Sequence, residues 1–496
     1  MYSFIDEQEK GNDHVNKEAQ MKKSLINIFI YFIAITLLNI TQGHAQANEF
    51  NLEQTKRVLT GQIEEALKSS GGASISISLV KEDKIVWSAA FGYSNIRAKS
   101  VATTDTIYNT ASTFKPVTAT AIMQLVEKKK INLDDPIHKY LDEQIIKNWG
   151  KREKKVTFRH ILSHQSGFAP DVIGQNHINI WRRDKNILAS LDGIASELKS
   201  NRDPEVTYEY NNLAFAVLGL LVEKVSGISY EEYLVNNILK PIGVYTANPV
   251  SPTPKMVEMM AYPYIREKNG SLIPAELVQY SIYPAGDIYL TAEDMARFIG
   301  AILNEGVFNS QHILSKKSIQ EMCIPQFGGP YGLGFHINKD DKGHVVLRHT
   351  GATDNGFSSI MLCDIDSRVG VYFMSNFSGG NNILDLTVAL QLLQGDYVPP
   401  EERKTITLNS NILDMYVGEY QVQNIVLAVI RKGDNLFLKL PFAPEPAQLY
   451  AESETVFFTK DEYTTNDVKF MINENNDVTS MIIVWRGQKV PLQKVK

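Results

Sequence analysis

The chain has 496 residues, a net charge of −6 and a pI near 6.0, with 44% of its residues hydrophobic and 21% charged. This is a globular composition on a chain too long for one ordinary core, so two domains are expected. The acidic balance gives no nucleic-acid footprint, and two cysteines, Cys323 and Cys363, are too few for a disulfide scaffold. Neither cysteine has the spacing of a zinc site; both lie among apolar residues, where packing is the expected role.

Residues 1–20 are polar, and Met21-Lys22-Lys23 is a second candidate start. The mostly apolar run Leu25 to Leu38 and the small-x-small Ala45-Gln46-Ala47 follow it. Together these read as a secretory signal peptide, with the mature chain starting near Asn48 and the protein exported to a periplasmic or extracellular space. The alternative is a single uncleaved membrane anchor, for which the run is short.

Leu52, Val58, Leu59, Ile63 and Leu67 recur at helical spacing, and Gly71-Gly72 closes that helix. Ala73 to Val80 and Lys84 to Gly92 read as two strands around the turn Lys81-Glu82-Asp83, which with the helix suggests a layered α/β (α+β) domain. Pro116 to Val126 reads as a buried helix opened by Ser112-Thr113-Phe114-Lys115. Residues three apart share a helix face, so Ser112 and Lys115 stand side by side one turn apart. Lys128-Lys129-Lys130 is a solvated helix end.

The pattern stays mostly helical to about Val250. His160 and His164 stand at i, i+4 but without Glu beside the first, so structural histidines are expected over half of a zinc site. Ser229-Tyr230-Glu231-Glu232 and Thr291-Ala292-Glu293-Asp294 read as capping boxes, the second preceded by a loop at Pro284-Ala285-Gly286-Asp287. Beyond Tyr331-Gly332-Leu333-Gly334, strands at His344 to Arg348, Phe357 to Cys363 and Val369 to Ser375 are expected to join the N-terminal hairpin in one sheet, leaving the helical middle as a second lobe. About eight short strands then follow Pro399-Pro400, suggesting a small barrel or sandwich without a cluster of catalytic residue types. The expected organisation is a leader and signal over 1–47, a main domain over 48–395, a linker over 396–410 and an all-β domain over 411–496.

A serine hydroxyl becomes a nucleophile only when a base takes its proton, and a lysine does so only when burial or nearby positive charge keeps it neutral. Acyl transfer also needs a proton donor for the leaving group and hydrogen-bond donors for an oxyanion. Two stretches fit these needs. One is Tyr210-Asn211-Asn212, where Tyr210 rather than Tyr208 has Asn two positions on. The other is His349-Thr350-Gly351 at the end of a strand.

With these motifs the sequence resembles the serine β-lactamase and penicillin-binding protein superfamily, in the branch of class C β-lactamases, DD-peptidases and related esterases. The resemblance spans roughly residues 50–395 and rests on Ser112-Thr113-Phe114-Lys115, Leu133-Asp134-Asp135-Pro136, His160 to Gly167, Tyr210-x-Asn212 and His349-Thr350-Gly351 in that order. The C-terminal strands resemble, more vaguely, the lipocalin-like barrels appended to some members. The resemblance implies that Ser112 is acylated, that Lys115 and Tyr210 handle its proton, and that Asn212 binds the substrate amide or Lys115. It implies that the N–H groups of Ser112 and Ala352 form an oxyanion hole, and that His349, Thr350 and Gly351 line the site, where His349 and Thr350 meet a substrate carboxylate. No metal or organic cofactor is implied. Many β-lactamases carry Lys where His349 stands, and a histidine is only partly charged near neutral pH, which favours a peptidase or esterase over a β-lactamase. Asp287 stands where relatives often have a second glycine, and it would repel acidic substrates if it faced the site.

The expectation is therefore an exported serine hydrolase acting on a small peptide, ester or lactam carbonyl, with a D-amino-acid peptide as the leading substrate. The rivals are a carboxylesterase of the same fold, a non-catalytic relative binding peptidoglycan or a partner, and a metallohydrolase built on His160 and His164. Oligomeric state is not read from the sequence.

Overall fold

The computed structural model describes residues 50–170, 178–180, 190–245, 253–399, 403–422, 425–440, 446–460, 465–485 and 488–495. The signal-like stretch lies outside them. Among the described residues no single helix is long and apolar enough to cross a membrane.

Helix α1 (Leu52–Ser70) starts on Asn51, whose side chain accepts the Gln54 N–H, and ends on Gly71 in the left-handed conformation, φ 60°. The hairpin β1 (Ser74–Lys81) and β2 (Lys84–Asn95) follows, then the short edge strand β3 (Ser100–Val101). Far along the chain come β4 (His336–Lys339), β5 (Val345–Ala352), β6 (Ser358–Asp364) and β7 (Val369–Ser375). All seven form one sheet in the order β4-β5-β6-β7-β1-β2-β3, with Ile75 opposite Ser375. The two ends of the main domain thus build the sheet, as the strand pattern implies.

Period-two alternation sorts the two faces of that sheet. Ile75, Ile77, Leu79, Val371 and Phe373 share a core with α1 and a later helix, α6 (Thr387–Gln394). On the other face, Leu347, Met361, Cys363, Tyr372 and Met374 share the larger core of the helical lobe. Every residue from Lys115 to Leu125 is buried in α2 (Lys115–Glu127), so this helix is a central pillar rather than an amphipathic surface helix. Alongside it in sequence order are α3 (Phe158–Leu162), α4 (Asn212–Ser226) and α5 (Ala292–Leu303).

Thr291 and Asp294 make the full reciprocal cap expected at α5. At Ser229 only half of the expected capping box forms: the hydroxyl takes the Glu232 N–H, while the Glu223 carboxylate, near the end of α4, takes the Tyr230 N–H. Both cysteines are free; burial pushes the Cys323 thiol up to about 12 and holds the fully buried Cys363 higher still, so neither is a ready thiolate.

Eight antiparallel strands from Gly418–Val422 to Gln488–Lys494 close into a barrel, the first pairing with the last through Tyr420–Lys494 and Gln421–Gln493. Its core is apolar and includes Tyr416 of the preceding helix, α7 (Ser410–Tyr416), stacked on Phe470 at 4.3 Å between centroids.

Candidate active site

Ser112 lies in a 3₁₀ turn, Ala111–Phe114, that runs directly into α2. The turn is tied down on several sides. Thr110 bonds through its N–H and hydroxyl to the Ile288 carbonyl at 2.8 and 2.9 Å. Ser359 on β6 donates to the Thr110 carbonyl at 2.6 Å, and the Thr113 hydroxyl meets the Tyr372 hydroxyl on β7. Ala111 itself is left-handed at φ 48°, a conformation a non-glycine residue holds only when its surroundings fix it.

Two glycines let other segments close on this turn. Gly286 has φ 141°, and a Cβ there would stand 2.2 Å from the Ala111 carbonyl oxygen. A Cβ on Gly351 would stand 2.3 Å from Ser359 Oγ and 3.0 Å from the Ser112 nitrogen. The last turn of β5 therefore lies against the Ser112 N–H, and Ala352 faces the same pocket. That pocket encloses about 90 Å³ and is lined by Ser112, Asn212, Tyr280, Asp287, Ala352 and Asp354, among others.

Lys115 is completely buried, and its Nζ donates to Ser112 Oγ at 3.0 Å, to Asn212 Oδ1 at 2.7 Å and to the Ala285 carbonyl at 2.6 Å. Three acceptors suit an ammonium. A neutral amine keeps two N–H groups and one lone pair. As an ammonium, Lys115 donates to all three; once it gives up a proton, with Asn212 and Ala285 keeping the two remaining hydrogens, its lone pair would turn to Ser112 Oγ. The Ala285 carbonyl is a main-chain group, invisible to motif reading.

Asn212 reaches Lys115 because its neighbour does the capping. Asn211 is the N-cap of α4, its Oδ1 accepting the Ala214 N–H at 2.7 Å, and Asn212 is the first helical residue. The Tyr210 ring lies 4.8 Å from Lys115 Nζ and 4.4 Å from the His164 ring. His164 supports this whole stretch: its carbonyl takes the Glu209 N–H at 2.8 Å and its Nδ1 takes the Asn211 N–H at 3.2 Å. Burial, then the Lys115 charge and His349, hold its imidazole well below the usual range. Its i, i+4 neighbour His160 turns elsewhere, with Nε2 2.7 Å from Glu205 and Nδ1 taking the Thr157 N–H. The two rings thus serve separate hydrogen-bond networks and do not form half of a zinc site. The supporting role of His164 under Tyr210 is absent from the sequence reading.

His349 is buried on β5, and its Nδ1 lies 2.8 Å from the Thr350 carbonyl, which can only accept. Nδ1 therefore carries the hydrogen, and Nε2 presents a bare lone pair, buried and without a partner in the structure. Burial, reinforced by the Lys115 charge, pushes the His349 imidazole down to about 3. Near neutral pH it is an acceptor, not a cation. Thr350 and Ala352, the exposed residues of this strand end, alternate with buried His349 and Gly351.

Asp287 is buried beside Ser112. Its carboxylate takes the Asn109 side-chain N–H and the Tyr280 main-chain N–H, both at 2.5 Å, and burial pushes it up to about 7. Asp354, exposed, adds a second carboxylate to the pocket lining.

The chain is similar to proteins built on the same plan. It is 26% identical over 448 residues to penicillin-binding protein 4* of Bacillus subtilis (strain 168), covering 86% of this chain and 96% of that one. The octameric penicillin-binding protein homologue from Pyrococcus abyssi superposes with a TM-score of 0.56 at 26% identity, covering 88% of this chain and 99% of that chain. EstCE1, a hydrolase with promiscuous acyltransferase activity, shares the fold with a TM-score of 0.57 at 16% identity, over 70% of this chain and 99% of that one. The family model described as Beta-lactamase matches residues 59–394, and with the serine–lysine turn, the tyrosine–asparagine segment and the closing strand all inside that span, the chain belongs to this family of serine hydrolases.

Proposed function

We propose that the protein is an exported serine hydrolase that forms an acyl-enzyme on Ser112. The observation that carries the reading is the set of contacts around Lys115, which holds its buried Nζ 3.0 Å from Ser112 Oγ, where a general base for that hydroxyl must stand. Ser112 Oγ attacks a carbonyl carbon as its proton passes to Lys115. The oxyanion is met by the N–H groups of Ser112 and Ala352, each such donor contributing about 3 kcal/mol of barrier lowering. Lys115 and Tyr210 then return a proton to the departing amine or alcohol. Water, deprotonated by the same groups, releases the acid and restores the serine.

The charge pattern bears on substrate class. A neutral, lone-pair-bearing His349 and the carboxylates Asp287 and Asp354 offer little to a substrate carboxylate. This supports amides, peptides or esters of D-amino acids, and simple esters, ahead of lactams that carry an obligatory carboxylate. The test is a panel of these substrates with wild type and Ser112→Ala, together with fluorophosphonate labelling followed by intact mass. Ser112→Ala should stay folded, lose turnover and take no label. Undiminished ester turnover in that variant refutes the assignment, and a folded wild type that neither labels nor turns over any substrate makes the chain a binding relative.

A further inference from the structure

The segment Ala285-Gly286-Asp287 bears on the nucleophile and its base at three successive residues. Ala285 gives its carbonyl to Lys115, Gly286 gives the Ala111 carbonyl room, and Asp287 reaches the turn through one intermediary. That intermediary is Asn109: its Nδ2 donates to Asp287 Oδ1, and its Oδ1 accepts the Ala111 N–H at 2.8 Å. Asp287 Oδ2 is meanwhile anchored on the Tyr280 N–H. The run from Tyr280 through Asp287 and Asn109 to Ala111 has a fixed donor–acceptor polarity. An ionised carboxylate accepts at both ends, which, together with the Tyr289 hydroxyl bonded to the Asn109 side chain, fixes the orientation of the Asn109 amide and leaves its oxygen for Ala111.

We infer that Asp287 is a positioning residue for catalysis: acting through Asn109, its carboxylate holds the left-handed turn at Ala111 and so aims the Ser112 N–H and hydroxyl. The proposal rests on the serine-hydrolase reading above. A small displacement of the reacting groups, about 1 Å, costs about 100-fold in rate, so a residue that acts on the nucleophile only through another can still govern turnover. The ionisable groups facing Asp287 are Tyr280 and Tyr289, both raised above the usual phenol range by burial, and Asp354 beyond Tyr280. No ion pair to Asp287 exists among the described residues, so hydrogen bonds hold the carboxylate. Protonation would set a hydroxyl against one of two N–H donors and release one end of the tie, which gives the role a pH signature.

The donor–acceptor polarity of this run can be inverted by paired substitutions. In Asp287→Asn the new amide sets its NH₂ group against the Asn109 NH₂, unless Asn109 flips and abandons Ala111. In the double variant Asp287→Asn with Asn109→Asp, Asn at 287 takes the Tyr280 N–H and donates to the carboxylate at 109, which still accepts from Ala111. The single variant should lose about 10- to 100-fold in kcat/KM for an ester with little change in KM, and the double variant should recover about ten-fold or more of that loss. Circular dichroism confirms that each is folded. A folded single variant with kcat/KM within about three-fold of wild type from pH 6 to 8 overturns the inference, as does a folded double variant no better than the single. Should neither variant fold, Asp287→Gly decides: a folded enzyme at least about ten-fold below wild type in kcat/KM with little change in KM supports the role, and one within about three-fold overturns it. Ser112→Ala in parallel separates the two levels: turnover surviving there defeats the serine-hydrolase reading itself, whereas its loss there beside an unaffected Asp287→Asn defeats only the inference.

Discussion

Gly351→Ala probes how tightly the end of β5 must close on the nucleophile. The added methyl would lie 2.3 Å from Ser359 Oγ, 2.9 Å from Ala111 Cβ and 3.0 Å from the Ser112 nitrogen. Ordinary contacts start near 3.4 Å, so a shift of about 1 Å is required. Ser359 cannot easily yield, because its hydroxyl donates to the Thr110 carbonyl at 2.6 Å and meets Thr113 Oγ1 at 3.1 Å. The movement falls instead on the strand end and the Ser112 turn, which separates the Ser112 and Ala352 N–H groups from a shared oxyanion. Loss of one such donor costs about 100- to 1000-fold in kcat, or about 2.7–4 kcal/mol. Overpacking should also cost about 1–3 kcal/mol of stability. Gly370→Ala is the control, since its methyl would press on Ile299 Cγ2 at 2.5 Å, away from Ser112. It should lose stability but keep kcat. Steady-state ester hydrolysis beside urea unfolding measures both. A folded Gly351→Ala enzyme with kcat within about three-fold of wild type would refute the oxyanion geometry.

Other predictions follow from the buried groups. The His349 imidazole titrates near 3 when folded and near its ordinary 6.5 when unfolded, so the unfolded chain binds the extra proton between those values. Its contribution is whole above pH 6.5 and is lost as pH falls towards 3. From pH 6.5 to 4 that amounts to about 3 kcal/mol, at about 1.36 kcal/mol per pH unit. His349→Asn should remove that slope in urea titrations at pH 7 and pH 4, and an unchanged difference between the two pH values would count against a buried neutral ring. Asp287 acts with the opposite sign: its raised pKa stabilises the fold below the ordinary carboxylate range, and this is lost as pH rises towards 7. In the barrel, Phe470→Ala removes a ring packed on Tyr416, Tyr420 and Phe457 and should destabilise the barrel by about 3–5 kcal/mol. Calorimetry should show a lowered transition, and an unmoved one would contradict the packed interior.

Much of this was legible in the sequence because local physics decided it. Gly71 marks its helix end by supplying a left-handed residue, and Lys81-Glu82-Asp83 turns a hairpin between two alternating strands. The three-residue spacing of Ser112 and Lys115 survives although the first lies in a 3₁₀ turn and the second opens an α-helix, since either brings the side chains together. Other features depended on atoms that sequence patterns do not encode. The Ala285 carbonyl beside Lys115 is main chain, and the Asp287 carboxylate could be placed only once Asn109 and the Tyr280 N–H were known to meet it. His349 was expected to be partly charged from its ordinary pKa; the burial that keeps it neutral is a tertiary property. His164 is structural as expected, but its place against Tyr210 is set by bonds to the Glu209 and Asn211 N–H groups, 45 or more residues away in sequence, which no local pattern encodes.

The order of strands has a consequence for how the molecule is made. β1 lies in the interior of the sheet, yet Ile75 finds its neighbour Ser375 only after 300 further residues have been made. At about 5–20 residues per second, that is a wait of roughly 15–60 s on the ribosome. Throughout it, the newborn hairpin has one side bare, able to pair with any strand that passes. A chain of this topology gains from being held unfolded until its last sheet strand has emerged, and a nascent chain stalled before Val369 should be far more prone to aggregate than one stalled after Ser375.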